Sequence, residues 1–366
     1  MGTASGTWGY RDRFGGSYGR TYFRRYPPGV CSSIGIGTYL GAPTEVQDAR
    51  YAEALSSGLE HGINVIDTAI NYRCQRSERV IGAVLKETSI DRASIVLTTK
   101  GGFLPFDGSR PENPSAYIQD RFIDTGRVDP ATLVRGSHCI APTYISDQLD
   151  QSLSNLGVET IDCYYVHNPE TQLLERDRET VSQTLQSTFE LLERRRKAGD
   201  IRQYGVATWD GFRVPTDHEQ YLSLPKLLTI AQEAADRVGV DEHGLTTLQL
   251  PFNIHMSDAF SRKNHTYTID GETRQLSTLE VAHEAGLFVF TSASLGQGEL
   301  ASGIPADVGA QVSGDTAVQR AINFARSAPG VTCSLVGMGT PDHVPENAAA
   351  GTFDPLGASA FDAVFE

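Results

Sequence analysis

The sequence is short of lysine. Only residues 86, 100, 197, 226 and 263 are Lys, so Arg supplies most of the 31 basic side chains, against 45 acidic ones. The formal charge of −14 argues against nucleic acid or an anionic membrane surface as partner. An acidic, lysine-poor chain fits adaptation to high salt and a GC-rich genome equally well. Cysteine is also sparse. Cys31, Cys74, Cys139, Cys163 and Cys333 are odd in number and contain no Cys-x-x-Cys spacing, so reduced thiols and a cytoplasmic location are expected. No apolar run approaches the ~18 residues that would suggest a membrane span. No apolar stretch near Met1 reads as a secretory signal.

What is present is a globular composition, 39% hydrophobic and 21% charged over 366 residues, enough for a large core in one domain. Residues 1–30 are rich in Gly, Arg and aromatics and are read as an N-terminal arm lying over an acidic body. Alternating basic and aromatic residues also occur in nucleic-acid binders, but the charge balance disfavours that. Residues 31–366 are read as the single folded unit.

Residues 61–86 organise that unit. The apolar run Ile63–Ile66 is too short for a helix and rich in β-branched side chains, so it reads as a buried strand. It breaks at Asp67, and Tyr72 lies in the polar loop beyond. Ser77 is expected to cap a helix whose Val80, Ile81, Val84 and Leu85 share one face. Similar strand–helix alternation recurs along the chain. Strands are expected at 33–40, 95–100, 161–167, 203–207, 247–253, 287–293 and 334–338, most of them followed by a helical pattern. Eight such units imply a parallel α/β fold, a (β/α)8 TIM barrel with long loops on its catalytic face. Residues 102–142 show no sustained periodicity, exceed an ordinary βα connection and are read as a functional loop or lid. The polar insertion after Asn253, running to Gln275, and the loop after Thr208 complete that face. Trp209 suits pocket lining and loop packing equally. His255 has no neighbouring ligand at metal spacing and is expected in solvent.

Three of these strands end in polar side chains. Asp67 closes the second, Lys100 the third and His167 the fourth; chemistry in parallel α/β folds sits at such carboxyl ends. A lysine closing a buried apolar run is unusual. With Tyr72 these residues describe an acid built from a phenol. An ammonium beside the ring lowers a phenol that otherwise titrates near ~10, Asp67 holds the ammonium, and His167 hydrogen-bonds a developing oxyanion. No nucleophile or metal cluster accompanies them, so a cofactor must carry the missing reactant, and hydride transfer from a nicotinamide fits.

Over residues 31–350 the chain resembles the aldo-keto reductase superfamily. The resemblance rests on IDTAINY, with Asp67 five residues before Tyr72; on SERVIG in the next helix; on TTKGG at Lys100; and on QSLSNLGVETIDCYYVH ending at His167. It implies Asp67, Tyr72, Lys100 and His167 as a catalytic tetrad and NADP(H) or NAD(H) as cofactor. The substrate it implies is a small-molecule carbonyl or alcohol, with no nucleic-acid or membrane partner and the oligomeric state open. Cofactor contacts implied by position are Asp67, Thr38 and Tyr39 after the first strand, Thr208 after the fifth and Gln249 on the sixth. Ser292 stands where many members carry a stacking aromatic. Leu295, Gly296 and Gln297 in SLGQGEL match the pyrophosphate loop. Gly337, Met338, Gly339 and His343 fall in the 2′-phosphate segment, and Glu346 and Asn347 near the adenine. Gly337 and His343 occupy the positions of the usual Lys and Arg, and Met338 replaces a hydroxyl. Weak discrimination between NADPH and NADH is therefore expected, with NADPH favoured as pH falls, unless Arg320 or Arg326 reaches the phosphate. Three rivals are weighed: a nicotinamide-sensing barrel resembling potassium-channel beta subunits, carbon–carbon double-bond reduction (which in the family goes with Glu in place of His167), and a metal-dependent hydrolase.

Overall fold

The computed structural model describes residues 1–365. Before the barrel come helix Ala4–Arg13 and a hairpin of β1 (Phe23–Tyr26) and β2 (Gly29–Ser32). The eight expected strands then appear as β3 (Ile34–Gly37), β4 (Val65–Asp67), β5 (Val96–Gly101), β6 (Ile161–His167), β7 (Ile201–Ala207), β8 (Leu245–Pro251), β11 (Phe288–Ser292) and β12 (Val331–Gly337). The polar insertion before β11 folds as a second hairpin, β9 (His265–Ile269) with β10 (Glu272–Leu276). The barrel closes in the order β11-β12-β3-β4-β5-β6-β7-β8, every neighbouring pair parallel. This is the (β/α)8 architecture expected from the alternation of short apolar runs and helical patterns.

Local sequence explains most element ends. Thr44 caps helix Glu45–Glu60 by accepting the Gln47 N–H, and Asp177 does the same for Arg178–Ala198 at Thr180. Helix Pro142–Leu156 stops at Gly157, whose φ of 62° costs a glycine little. Leu149 and Leu156 on its inner face are at most 1% exposed. Burying such a side chain contributes about 1.5–3 kcal/mol.

The helix after β4 departs from expectation. It spans Arg76–Glu87, and Gln75, at φ 69°, occupies the cap position with no side-chain cap bond. Ser77 lies two residues beyond the cap position, inside the helix, and its hydroxyl donates to the Thr38 carbonyl at 2.8 Å. Glu78 beside it accepts from Thr99 Oγ1 and from Asn155 Nδ2. The Ser-Glu pair therefore latches this helix to β3, β5 and its neighbour helix.

The N-terminal arm is also held differently than expected. Its arginines do not pair with the acidic body: Arg11 bonds Asp12 of its own helix, and Arg13 lies over Tyr10 and Phe14. Aromatic packing does the holding, through Tyr10, Phe14, Tyr18, Tyr22 and Phe23. Tyr26 on the hairpin enters the barrel's amino-terminal mouth, where its hydroxyl accepts from Gln203 Nε2 at 2.5 Å and lies 3.3 Å from Thr247 Oγ1.

Residues 102–142 follow β5, on the face formed by strand carboxyl ends. They are folded, with helical turns at Pro114–Ile118, Gln119–Ile123 and Pro130–Thr132. Leu104, Ile118, Phe122, Val128 and Cys139 pack with Tyr144 into a small core of their own. Each turn is under two helical repeats long, too short for periodicity to register in sequence.

Candidate active site

The ends of β4, β5 and β6 bring together three of the four tetrad residues. Parallel register puts Asp67 level with Thr98 and Lys100 one layer above it on the same face. Lys100 Nζ donates to Asp67 Oδ2 at 2.6 Å and to the Thr68 carbonyl at 2.8 Å, with its side chain 1% and that of Asp67 4% exposed. The other carboxylate oxygen accepts from Thr98 Oγ1 at 2.7 Å and from Gln249 Nε2 at 2.8 Å. This carboxylate has three partners, so its charge is tolerated in the barrel interior. Burial pulls the Lys100 ammonium down, but Asp67 and Tyr72 together outweigh that and hold it above its ordinary value. It is a cation at neutral pH.

Tyr72 follows in the loop after β4, half-buried, with Lys100 Nζ 4.9 Å from its ring centroid. Its ring sits edge-on to Tyr39 at 5.0 Å and to His167 at 6.0 Å. Burial pushes the phenol above its ordinary value, against the opposing pull of Lys100. The lowering read from sequence is thus reversed in sign, because the loop takes the hydroxyl out of water as well as toward the ammonium. The residues after it, Arg73, Cys74 and Gln75, all have left-handed backbones, at φ 47°, 58° and 69°, a conformation costing roughly 1–2 kcal/mol per non-glycine residue. Arg73 offsets this: its buried guanidinium donates to Asp48 at 2.5 Å and to the Ala42 and Thr44 carbonyls.

His167 is 8% exposed. Burial, then Lys100 and His138, depress its pKa well below the ordinary value, so the ring is neutral. Its Nδ1 has no hydrogen-bond partner. Its carbonyl binds His138 Nε2 at 2.8 Å, and Gln172 Nε2 contacts His138 Nδ1 at 2.8 Å. The two glycines of TTKGG allow this closeness: a Cβ at Gly101 would stand 2.1 Å from Tyr164 Oη, and one at Gly102 2.8 Å from the His167 carbonyl.

The other expected contacts divide. Thr208 at the end of β7 is 4% exposed, with a buried, unpartnered hydroxyl. Gln249 lies two strands round from β6, but its amide donates to Asp67, leaving its carbonyl oxygen as the outward acceptor. Thr38 sits beneath the site with its hydroxyl on the Asp67 carbonyl at 3.1 Å. Tyr39 is 57% exposed above it. Ser292 ends β11, and Leu295, Gly296 and Gln297 lead into an open turn where nothing lies within 4 Å of a Cβ at Gly298. Gly337 ends β12, and Gly339 approaches Tyr51 so closely that a Cβ would stand 3.1 Å from its hydroxyl. The side chain of Met338 belongs to the hydrophobic core, so only its backbone can face a ligand. His343 is exposed, Glu346 half-buried and Asn347 buried, the last two on a short helix, Val344–Ala349. Arg326 is held through Nε and Nη1 by Ser33, Asn323 and the Ala350 and Phe353 carbonyls, beside Arg24 and Val331 at the barrel's other end, which removes it as a ligand for the cofactor's 2′-phosphate. Arg320 has no hydrogen-bonded or ion-paired side-chain partner among the described residues. Its neighbour Gln319 reaches the Glu346 carbonyl at 3.4 Å. His255 is exposed, as expected, and Trp209 is 38% exposed. Among the described residues no group of His, Cys, Asp and Glu is arranged to hold a metal ion, and no helix is long and apolar enough to cross a membrane.

Glu170, three residues after His167, escaped the sequence reading. It is 1% exposed, and Oε1 accepts the Trp209 and Asp210 N–H groups at 2.6 and 3.1 Å, while Oε2 has no partner. It therefore ties the loop after β6 to the loop after β7. Burial lifts its pKa to about 7 despite those two bonds. The folded form thus binds a proton more readily than the unfolded chain, and stability should fall as pH rises from about 4.5 through 7. Glu170→Gln should melt about 1–2 °C above the wild type at pH 8 for a gain of about 1 kcal/mol in a chain of this length, with the gap closing by pH 5. Melting curves at the two pH values check this; a constant gap would assign the effect to something other than Glu170 ionisation.

The sequence profile of the aldo/keto reductase family matches residues 33–215. The uncharacterized oxidoreductase YqkF of Bacillus subtilis is 27% identical over 177 residues, 48% of this chain and 45% of that protein. A putative voltage-gated potassium channel subunit beta of Schizosaccharomyces pombe is 24% identical over 188 residues, 51% of this chain and 44% of that protein. The matched region thus spans under half the length of these curated relatives. In structure the chain is similar to an aldo/keto reductase from Klebsiella pneumoniae solved with NADP and acetate, at TM-score 0.62 and 19% identity over 94% of both chains. It is similar also to the glycerol dehydrogenase of Gluconobacter oxydans, at TM-score 0.64 and 19% identity over 95% of both chains.

Proposed function

The chain belongs to the aldo/keto reductase family, and from that premise we propose that it reduces a small aldehyde or ketone to an alcohol, or catalyses the reverse, with NADP(H) or NAD(H). One observation carries the reading: a charged Lys100, pinned by a fully partnered Asp67, stands under the phenol of Tyr72 with a neutral His167 beside it.

The residues around the groove suit a nicotinamide cofactor. The unpartnered Thr208 hydroxyl and the Gln249 carbonyl oxygen offer groups for a carboxamide. The open turn at Gly296–Gly298 and the bare backbone at Gly337 leave room for phosphates. Bound there, a nicotinamide would supply the hydride for a carbonyl carbon when reduced, and take one up from an alcohol when oxidised. Tyr72, protonated at neutral pH, donates the proton that the reduced oxygen needs. Lys100, held on Asp67 and Thr68, stays charged and stabilises the phenolate left behind, which regains its proton from solvent before the next turnover. Neutral His167 keeps an N–H for the same oxygen, orienting it toward Tyr72. The glycerol dehydrogenase and NADP-bound neighbours support an alcohol or carbonyl substrate and this cofactor class. The five free thiols support a reducing, cytoplasmic setting.

Following NAD(P)H absorbance over panels of aldehydes, ketones, sugars and keto acids tests the proposal. Absence of turnover across such a panel, with cofactor bound, would favour the second reading, a nicotinamide-binding regulatory subunit, which the match to a putative potassium channel subunit beta supports. For the 2′-phosphate, Arg320 is the candidate cation, supported by its lack of a side-chain partner and by the contact of its neighbour Gln319 with the Glu346 carbonyl. Arg320→Ala should weaken NADPH roughly tenfold, near the ~1.5 kcal/mol of a charge-assisted hydrogen bond, and leave NADH unchanged. Equal effects on the two cofactors, measured by fluorescence titration, would remove Arg320 from that role.

A further inference from the structure

At the barrel's other end, the hairpin and the last helix–strand connection border an open depression of about 430 Å³ lined by Arg20, Arg24, Arg25, Arg326, Ser327 and Leu356 among others. It opens where β1 meets the start of β12, so the full length of the barrel separates it from Asp67, Tyr72, Lys100 and His167 at the strand carboxyl ends. It is the one region where the arginines of the N-terminal arm converge.

The charge there is uncompensated. Several other buried or half-buried arginines find carboxylates: Arg73 takes Asp48, Arg92 takes Asp162 and Arg213 takes Asp258. None of Arg20, Arg24, Arg25 and Arg326 has a carboxylate within ion-pair distance among the described residues, in a chain with 45 acidic side chains to choose from. Arg24 donates instead to the carbonyls of Val331 and Arg326 at 2.6 Å and of Thr21 at 3.3 Å. Those bonds fix the guanidinium and leave two of its five N–H groups free. Arg326, 1% exposed, is held by Ser33, Asn323, Ala350 and Phe353 and keeps an unpartnered Nη2. Burial and the nearby Arg24 depress its pKa to about 9, with Asp354 only partly opposing them. Arg20 and Arg25 stand exposed at the rim, with no hydrogen bond to restrain them. Two fixed guanidiniums at the base and two free ones at the rim form a concave cationic site. Arg forks suit phosphate oxygens in particular. The volume falls within the ~300–1,000 Å³ typical of small-molecule pockets. A nucleic-acid strand would require an extended basic track, and the chain as a whole carries a formal charge of −14.

We propose that this depression is a binding site for a small polyanion bearing phosphate groups, separate from the catalytic groove. The site is independent of the reaction proposed above. Calorimetric titration of the full chain with inorganic pyrophosphate, at constant ionic strength, tests it. Saturable one-to-one binding is expected, retained when NADPH is present in excess and weakened tenfold or more in Arg20→Gln/Arg25→Gln. Both side chains of that double variant are exposed and make no contact the fold depends on; its unchanged melting curve would establish that loss of binding is not loss of structure. Three results would overturn the proposal. One is no saturable binding. Another is equal binding by the double variant or its abolition by NADPH, which would put pyrophosphate in the cofactor groove. The third is tighter, length-dependent binding of a single-stranded oligonucleotide lost in the same variant, which would make the surface a nucleic-acid site.

Discussion

Tyr72→Phe should lower turnover about 10²–10⁴-fold, the usual contribution of a positioned proton donor, while cofactor affinity changes little. The phenol is the one group at the site that combines partial exposure, protonation at neutral pH and an adjacent cation. Its neighbours cannot substitute. Lys100 is locked on Asp67 and Thr68, and His167 is neutral with its pKa depressed. Phe keeps the edge-on contacts with Tyr39 and His167, so the loop after β4 should hold its shape. Single-turnover kinetics with cofactor titration separate the two effects. A variant retaining more than half the wild-type rate with chemistry limiting would show that the proton comes from elsewhere.

Lys100→Met should produce a double loss. Methionine matches the stem but removes the ammonium and leaves Asp67 buried with only its Thr98 and Gln249 bonds. Breaking a buried ion pair by deleting one partner typically costs ~3–5 kcal/mol, so unfolding should come at markedly lower denaturant concentration. Turnover should also fall, because the Tyr72 phenolate would lose its counter-charge. The sign with pH is specific. With Lys100 gone, nothing opposes the burial that raises the phenol, so the alkaline limb for alcohol oxidation, which requires phenolate, should move to higher pH. Asp67→Asn/Lys100→Met removes both charges and should recover much of the stability but none of the activity. Recovery of both would reduce the pair to a structural role.

The barrel was legible because its signal is repeated and local. Each strand is a short β-branched or apolar run, each is followed by a helical pattern, and eight repeats leave few alternatives to closure. Helices Pro142–Leu156 and Leu224–Val238 carry their own stop signals in Gly157 and Gly239, so periodicity and termination coincide. Asp67, Lys100 and His167 stood out because each ends an apolar run where a polar side chain is costly. The short turns within residues 102–142 were not legible, because they owe their stability to a small core shared with Tyr144 rather than to any periodic face.

Sequence alone determined the parallel alternation, the polar strand ends and the loop tyrosine beyond Asp67, since these depend on residue type and spacing along one chain. Only the tertiary structure decided how the charges balance. Gln249 is 182 residues from Asp67 and meets it across the barrel. Ser77 gives up a capping role because Thr38 offers its carbonyl from another strand. Glu170 is buried on two N–H groups of a loop some forty residues away, and burial rather than the neighbouring ammonium sets the direction of the Tyr72 pKa. Desolvation and long-range hydrogen bonds depend on which residues surround a group in three dimensions, and chain spacing does not encode that neighbourhood.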